Sequence, residues 1–385
     1  MVTGVHVAGI GMTPFGKFPQ RGLEDLGLAA VLAAVDDAGL HQREIQAVYA
    51  GHARTGRLLG RENGVGQLVM AAAGVRGIPV TGVGNFCASG STAFREAVLA
   101  VMTGLYDVVL ALGVEKLSVR PEKGKPLTSD GMEFEGEFGF TPPAFFALVA
   151  KSYLAEIGAD AADLAHVAVK NRAHAQHNPY AQYRDPISAE EVLTSRMIAD
   201  PLTLLSCCPT GDGAAAALVV SDRVAARLDR KTVRVGATAL LSGCGDPTAT
   251  GHFEVDTRAA RVAYEQAGIG PEDIDVAEVH DAFTVTEVIH YEDLLLCPPG
   301  EGVKYLLDGR TSLGGQIPVS TSGGLMSKGH PLGATGIAQV HEIVTQLRGE
   351  AGPRQVAGAS TGLTHCAGGF LDNDVAVSAV HLFSV

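Results

Sequence analysis

The 385-residue sequence predicts an α/β protein made of two similar halves with an inserted segment between them. Three observations favour this fold class: the chain is too long for one simple core, 46% hydrophobic residues accompany 48 glycines, and two segments resemble each other. In residues 32–51 and in residues 261–282, a helix ends at Ala-Gly, a polar turn follows, and an acidic residue before isoleucine leads into a strand. Units of helix, glycine and strand recur in many α/β proteins, so this pair alone leaves the duplication open.

The similarity continues along the chain. In residues 86–116 the pattern predicts the end of a strand, then a helix, then a strand. Residues 329–362 show the same order with similar lengths. We therefore expect an N-terminal half at 1–118, completed by about 207–229, and a C-terminal half at 230–385. Equivalent turns of duplicated halves should meet near a shared pseudo-twofold axis.

The insertion, residues 119–206, starts with a charged, turn-rich stretch and continues with two helical patterns, at residues 144–158 and 163–178. It carries five of the 13 phenylalanines: Phe134, Phe138, Phe140, Phe145 and Phe146. They could form a small satellite core or line an apolar substrate pocket. The stretch 201–222 then predicts a buried strand that returns to the N-terminal half.

Charge and cysteine usage restrict the possible partners and compartments. A formal net charge of −13 argues against nucleic acid as a partner. The six cysteines show neither a disulfide framework nor zinc-ligand spacing, which is typical of a reducing compartment. We find no signal-peptide pattern and no apolar run long enough to span a membrane, so we expect a cytoplasmic protein without a membrane partner.

One cysteine stands where the chain turns from strand to helix. In "VGNFCASGSTAFREA", Cys87 follows a predicted buried strand at 77–83 and precedes an amphipathic helix that Gly104 closes. Helix N-termini can lower the pKa of a thiol, which favours a nucleophile. A small buried hydrophobic residue is the alternative, because free cysteines are among the most buried residues.

Three later stretches supply groups with which Cys87 could act. "VAEVHDAFT" places His280 at a strand end, "SGGLMSKGHPLGATG" places His330 at the turn equivalent to that of Cys87, and "STGLTHCAGGF" places Cys366 before two glycines. A thiol, an imidazole base, a second thiol and close backbone donors are the groups that acyl-thioester chemistry requires.

The motifs "NFCASGS", "GGLMSKGHPLGATG" and "HCAGG", in this order, resemble those of the thiolases over essentially the whole chain. "HDAF", "AVKNRAHAQHNPYAQYRDPIS" and "LLSCCPTGDGAAA" make the sequence most similar to the sterol-carrier-protein type and its bacterial acetyl-CoA acetyltransferase relatives. The resemblance implies a five-layer αβαβα thiolase fold of two similar halves, a loop domain over the active site, and a homodimer or a dimer of dimers.

The resemblance also implies roles for individual residues. Cys87 would accept the acyl group from a thioester, and His330 would take the proton of Cys87. Cys366 would act as acid and base, and the backbone N–H groups of Cys87 and Gly368 would form an oxyanion hole. His280 would contribute to a second oxyanion hole. The implied reaction is cleavage of a 3-oxoacyl-CoA with CoA, or the reverse Claisen condensation, as in β-oxidation and related lipid metabolism.

No metal and no permanently bound cofactor are implied; coenzyme A and acyl-CoA would be substrates. Basic residues at the loop domain are candidates for contacts with the CoA phosphates: Arg120, Lys123, Lys125, Lys170, Arg172 and Arg184. A small partner subunit that joins a zinc ribbon to an OB-fold accompanies some bacterial relatives.

The sequence departs from the sterol-carrier-protein pattern at Ala282, where that branch often has cysteine. Two alternatives stay open on the same fold. One is a retro-aldolase, a carbon–carbon lyase that cleaves a β-hydroxyacyl-CoA with a partner subunit, and the other is a non-catalytic acyl-CoA-binding subunit. Retention of Cys87, His330 and Cys366 together favours the thiolase.

Overall fold

The structure, a computed structural model, describes residues 2–60, 63–119, 140–244, 251–371 and 374–385. Its strands are β1 (Val5–Met12), β2 (Ala47–Gly51), β3 (Val80–Val83), β4 (Val108–Lys116), β5 (Met197–Ala199), β6 (Leu202–Thr203), β7 (Asp212–Ser221), β8 (Val233–Ser242), β9 (Val276–Glu278), β10 (Thr361–Gly368) and β11 (Val377–Ser384).

The α-helices are α1 (Leu23–Ala38), α2 (Thr55–Leu58), α3 (Val65–Ala72), α4 (Ser89–Met102), α5 (Pro142–Ile157), α6 (Ala161–Ala175), α7 (Ala189–Thr194), α8 (Asp222–Ala225), α9 (Glu254–Ala267), α10 (Thr284–Asp293), α11 (Gly302–Leu307), α12 (Gly324–Ser327) and α13 (Leu332–Arg348). Short 3-10 helices lie at Gln42–Glu44, Leu204–Ser206, Pro271–Asp273 and Gly352–Arg354. In the described ranges, no helix has the length and apolar character that crossing a membrane requires.

Nine strands form one mixed sheet in the order β3-β2-β4-β7-β1-β8-β11-β10-β9. The first five strands come from the N-terminal half and its completing strand β7, and the last four come from the C-terminal half. The two sets join where β1 and β8 pair antiparallel over only two residue pairs, His6 with Arg234 and Val7 with Val233. Because this junction is short, the sheet can fold around the helices between its two parts.

The predicted duplication is visible in matched elements. Helices α1 and α9 both end at a glycine in the left-handed region, Gly39 with φ 64° and Gly268 with φ 71°. A 3-10 helix and a strand follow in each half, β2 in one and β9 in the other. The second matched pair is α4 with β4 and α13 with β10. Each half therefore contributes one long helix, α4 or α13, that follows the turn of a candidate site residue, Cys87 or His330.

Helices α4 and α13 lie between the two parts of the sheet and cross at glycines. A Cβ atom on Gly90 would lie 2.6 Å from the Gly333 carbonyl oxygen, and one on Gly336 would lie 2.1 Å from Ser91 Oγ. Helices α1 and α3 cover the outer face of the N-terminal strands, and α9 covers the C-terminal strands. The layers thus alternate αβαβα, which confirms the expected thiolase fold.

Strand β3 differs from the expectation of a buried strand at 77–83. It begins at Val80, lies at the end of the sheet, and exposes Thr81 and Gly82. The β-branched residues and flanking glycines predicted a strand, but they carry no information about its neighbours. Position in the sheet, which depends on distant pairing, leaves this strand at the edge.

The insertion folds as predicted helices α5 and α6, the short helix α7, and a β5–β6 hairpin, packed against the C-terminal half. Phe145 and Phe146 belong to a large core cluster with Phe253 and Phe283, whereas Phe134 and Phe138 lie outside the described residues. The predicted return strand is β7, which pairs with β4 on one side and β1 on the other.

Candidate active site

A cavity of about 410 Å³ lies where the Cys87 turn, the His330 turn and the end of β10 meet. Its lining comprises His52, Ala53, Arg54, Gly84, Phe86, Cys87, Leu117, Pro142, Phe146, Cys208, Thr210, Phe253, His280, Ala282, Phe283, Thr286, His290, His330, Leu332, Ala367, Gly368, Gly369, Phe370 and Val375. The insertion contributes Phe146 to both the core and this wall. Phe146 therefore has both of the roles that were considered for the phenylalanines, packing in a core and lining a pocket.

Cys87 occupies a sharp turn before α4. The preceding residue, Phe86, has φ 51°, a left-handed conformation that non-glycine residues rarely adopt. Ser89 fixes the turn, since its hydroxyl donates to the Phe86 carbonyl (2.6 Å) and accepts from the Asn85 N–H (2.8 Å). Strain of this kind concentrates at functional sites and holds a side chain in one direction.

Two imidazoles lie beside the Cys87 thiol. One ligand atom each of Cys87, His280 and His330 lies within 4.8 Å of the other two, and the two rings meet edge to face at 5.1 Å. Sequence reasoning selected all three residues, and the fold brings them together.

The tautomer of His330 follows from its hydrogen bonds. The Thr335 hydroxyl has one proton, and it donates that proton to the Pro331 carbonyl (3.0 Å). The contact of 2.7 Å between His330 Nδ1 and Thr335 Oγ1 is then donated by the ring. Nε2 of the neutral ring therefore carries a free electron pair and can accept a proton.

Cys366 lies at the other side of the Cys87 turn. Its Sγ is 3.4 Å from the Cys87 carbonyl oxygen and 3.5 Å from His280 Nδ1. The side chain is fully buried, and Cys366 itself does not line the cavity, although the next residue, Ala367, does.

Gly368 packs directly on the backbone of the Cys87 turn. A Cβ atom at this position would lie 2.9 Å from the Ala88 nitrogen and 3.0 Å from the Cys87 nitrogen. Only glycine allows this approach. The backbone of Gly368 therefore lies against the amide of Cys87, and the oxyanion hole expected from these two residues stays a prediction.

Burial sets the charge of the reactive groups. It raises the pKa of the Cys87 thiol to about 12, although the Arg54 guanidinium opposes the rise. The pKa of His330 falls to about 3 and that of His280 lies well below its usual range, again mainly through burial. The lowered thiol pKa expected from the helix N-terminus is therefore wrong for the empty cavity, because desolvation outweighs that effect.

Two buried carboxylates position the reactive turns, and sequence reasoning missed both. Glu115 accepts hydrogen bonds from the backbone N–H groups of residues 53–55 and from the Gly333 N–H, so it ties the cavity loop to the start of α13. Asp281 accepts from the Leu325 and Met326 N–H groups. The acid next to His280 in "HDAF" was the available signal for the second.

Other lining residues were also missed. His52 and Cys208 reach the cavity from the loop after β2 and from the segment before β7. His290 reaches it from α10 and lies 3.3 Å from the Asp256 carboxylate, which also contacts His365 at 3.0 Å.

The candidates for CoA phosphate contacts divide into two groups. Arg120, Lys123 and Lys125 lie outside the described residues. Arg172 is buried in the loop domain: its guanidinium donates to Ser327 Oγ and to the Asp185 carbonyl. It does not line the cavity. Lys170 forms a buried ion pair with Glu287, and Arg184 is exposed.

Among the residues that the structure describes, two groups of side chains have a spacing that could hold a metal ion. They are Cys87 with His280 and His330, and Asp256 with His290 and His365, each with ligand atoms within 4.8 Å of one another. Hydrogen bonds and ion pairs already account for the contacts within the second group.

A reactive thiol facing uncharged imidazoles in an apolar cavity is the arrangement of proteins that handle acyl thioesters through a cysteine. Comparisons with known proteins agree. The model of the thiolase N-terminal domain matches residues 5–223, and the thiolase C-terminal domain-like model matches residues 241–379. The chain belongs to the thiolase family.

An acetyl-CoA acetyltransferase of Methanothermobacter thermautotrophicus is 40% identical over 99% of each chain. Benzoylsuccinyl-CoA thiolase subunit BbsB of Thauera aromatica is 38% identical, over 95% of this chain and 94% of that one. Sterol carrier protein 2 of Bos taurus is 38% identical, over 94% of this chain and 69% of that one. The resemblance drawn from the motifs is therefore confirmed.

Among solved structures, the aldolase complex described as Ltp2-ChsH2(DUF35) superimposes with a TM-score of 0.85 and 26% identity, covering 98% of this chain and 97% of that chain. The fold is thus shared with a protein named as an aldolase. Acyl transfer is supported at the level of the family.

Proposed function

We propose that this protein is an acetyl-CoA C-acyltransferase, a 3-ketoacyl-CoA thiolase, that works through an acyl-Cys87 intermediate. One observation carries the proposal: the Cys87 thiol, His280 and His330 converge within 4.8 Å at a cavity wall that Gly368 completes. The relatives named as acetyltransferase and thiolase support the same chemistry.

In the first half-reaction, the Cys87 thiol attacks the carbonyl carbon of the acyl donor while His330 Nε2 takes the thiol proton. The amides of Cys87 and Gly368 stabilise the oxyanion. Collapse of the tetrahedral intermediate breaks the old carbon–sulfur or carbon–carbon bond, and the leaving CoA thiolate or enolate receives a proton. The product is a thioester of Cys87.

In condensation, Cys366, which has given its thiol proton to the leaving CoA thiolate and is now a thiolate, takes a proton from the α-carbon of acetyl-CoA. His280 and His330 stabilise the enolate oxygen by hydrogen bonding. The enolate attacks the Cys87 thioester, and the Cys87 thiolate leaves and recovers a proton. Thiolysis runs these steps in reverse. The direct contact between Cys366 and His280, 3.5 Å, supports this sharing of roles.

The test is mass spectrometry of the intact protein with peptide mapping after brief exposure to acetyl-CoA and to acetoacetyl-CoA. We expect an acetyl adduct on the Cys87 peptide and none in Cys87→Ala. Cys208→Ala, which removes another thiol of the same cavity, is the matched control and should still be acetylated at Cys87. Wild-type protein without an adduct from either thioester would contradict the proposal.

A retro-aldolase is the second candidate, because the structural neighbour carries that name. Cleavage of a β-hydroxyacyl-CoA gives an aldehyde and needs no acyl-cysteine. If the Cys87→Ala protein still releases the aldehyde, the aldolase is favoured. If Cys87→Ala loses both the aldehyde release and the acetyl adduct, the thiolase is favoured.

The proposal includes a homodimer and a possible second subunit, since one relative is named as a subunit and the structural neighbour as a complex. An adduct formed by the isolated chain would show that acylation needs no partner. Coenzyme A and acyl-CoA are the proposed substrates, and the cytoplasm is the proposed compartment.

A further inference from the structure

Two of the four cavity histidines, His52 and His290, lie outside the group formed by Cys87, His280 and His330. His290 projects from α10 into the cavity wall and is only 1% exposed. Its ring lies 6.0 Å from that of Phe253, which in turn lies 6.2 Å from that of Phe146. Phe146 also stacks on Phe283 at 4.5 Å. An imidazole thus interrupts an aromatic wall that would otherwise suit a plain hydrocarbon chain.

A buried carboxylate lies behind this imidazole. Asp256 Oδ2 is 3.3 Å from His290 Nδ1, and Asp256 Oδ1 is 3.0 Å from His365 Nε2. Asp256 and His365 are fully buried. The two imidazoles hold the pKa of Asp256 well below its usual range, so the carboxylate is charged. The two imidazoles are the side chains in contact with this buried carboxylate.

The contact with Asp256 determines which atom of His290 is left for a ligand. Nδ1 faces the carboxylate, so Nε2, on the other side of the ring, is the atom turned to the cavity. No hydrogen bond joins Nε2 to any residue that the structure describes. Nδ1 is the ring nitrogen that is buried without a hydrogen bond, because its 3.3 Å contact with Asp256 lacks hydrogen-bond geometry. Nε2 is the nitrogen left open at the cavity wall, where an oxygen atom of a bound molecule can form a hydrogen bond with it.

Building on the proposed function, we propose that the cavity prefers acyl groups that carry an uncharged oxygen, a hydroxyl or a carbonyl, at the far end of the chain, hydrogen-bonded to His290 Nε2. The phenylalanines contact the carbon chain between this oxygen and the thioester. A neutral oxygen fits better than a carboxylate, because a second anion buried beside Asp256 would lose its hydration and be repelled by the Asp256 carboxylate.

The test is calorimetric titration of the Cys87→Ala protein, which cannot turn substrate over, with pairs of acyl-CoAs of four to eight carbons. Each pair compares an unsubstituted chain with its ω-hydroxy derivative, and adipyl-CoA supplies a terminal carboxylate. We expect an ω-hydroxyacyl-CoA to bind about tenfold more tightly than its unsubstituted partner at one chain length. Equal affinities at all lengths, or tightest binding of adipyl-CoA, would overturn the inference.

Two substitutions at His290 separate ligand recognition from a structural role. In the Cys87→Ala background, His290→Leu should abolish the preference but retain binding of the unsubstituted chain, whereas His290→Gln should keep part of the preference. Equal weakening of both ligands by His290→Leu would indicate a structural role and overturn the inference. Acetylation of wild-type Cys87 is measured separately, so failure of the proposed function is distinguishable from failure of this preference.

Discussion

The reactive pair at Cys87 and His330 is uncharged before substrate arrives. The thiol has its pKa raised to about 12 and the imidazole has its pKa lowered to about 3, both through burial. A thiolate–imidazolium pair would place two charges in an apolar cavity, and their desolvation would cost free energy. In the proposed mechanism the proton therefore moves from Cys87 to His330 as the thioester is attacked, without an ion pair formed beforehand.

This charge state predicts a flat pH profile for acylation. His330 gains a proton, and stops acting as a base, only as the pH falls toward 3; Cys87 ionises only as it rises toward 12. The single-turnover rate of Cys87 acetylation by acetyl-CoA should therefore change little between roughly pH 5 and 9. A rate that climbs about tenfold per pH unit through neutrality, as for a free thiol such as N-acetylcysteine, would contradict the neutral pair.

The hydrogen bond from His330 to Thr335 predicts the effect of one further substitution. Thr335→Val removes the hydroxyl at nearly constant volume, so the ring can adopt the tautomer that protonates Nε2. We expect the acetylation rate to fall about tenfold, with the melting temperature nearly unchanged. Thr335→Ser keeps a hydroxyl and should restore most of the rate. Equal rates in Val and Ser variants would show that Thr335 does not orient His330.

At the residue scale the sequence predicted which candidate residues lie together but not their environment. Cys87 and His330 stood in glycine-containing turns, Cys366 stood just before two glycines, and His280 stood at a predicted strand end; each of these is a local pattern. The pKa of Cys87 and the pairing of His290 with Asp256 depend on side chains that are distant along the chain. No local pattern reports burial or a partner of that kind.

The matched elements of the two halves explain why two distant turns share one cavity. Helices α4 and α13 start next to Cys87 and His330, and their first turns touch through Gly90 and Gly333. Without side chains at this crossing the backbones approach closely, so each helix start lies near the other. The spacing between thiol and imidazole is therefore set by helix packing as well as by the turns.

A methyl group at the crossing should separate these turns. In Gly90→Ala, the new Cβ would lie 2.6 Å from the Gly333 carbonyl oxygen, so α13 must shift. We expect a loss of about 1–3 kcal/mol in the free energy of unfolding and at least a tenfold fall in the rate of Cys87 acetylation. Denaturant unfolding and single-turnover acetylation measure the two effects.

Gly236→Ala is the control for this substitution, because its Cβ would approach no atom closer than 3.6 Å. Its stability and rate should stay close to wild type. A Gly90→Ala protein with unchanged acetylation would mean that helix packing does not set the distance between the thiol and the imidazole.

Elements were predictable from the sequence where one periodic pattern determined them. The ends of α1 and α9 followed from Ala-Gly, and α5 and α6 followed from their apolar spacing. Strand β3 was recognised but placed in the interior. The order of strands in a sheet is a property of long-range pairing, and four residues of local sequence do not encode it.

At the scale of the whole molecule, the nine-stranded sheet has an open end that bears on assembly. Strand β3 is its last strand on the N-terminal side, and Thr81 and Gly82 are exposed. The Val48 N–H donates to the Pro79 carbonyl, and Val48 is paired with Val80. In this parallel ladder the backbone N–H and C=O groups of Thr81 therefore face β2, whereas those of Gly82 face outward. An edge with free backbone groups is a surface on which another strand can pair.

We therefore expect a homodimer in which β3 pairs with β3 of a second copy, and Gly82→Pro should weaken it. Proline removes the outward N–H and adds a ring at the edge, whereas Gly82→Ala keeps the N–H and serves as the control. Light scattering coupled to size exclusion should give twice the chain mass for wild type and the Ala variant, with at least a tenfold weaker dimer for the Pro variant. A wild-type monomer would contradict the dimer. A Pro variant that dimerises as tightly as wild type would place the interface on another surface of the molecule.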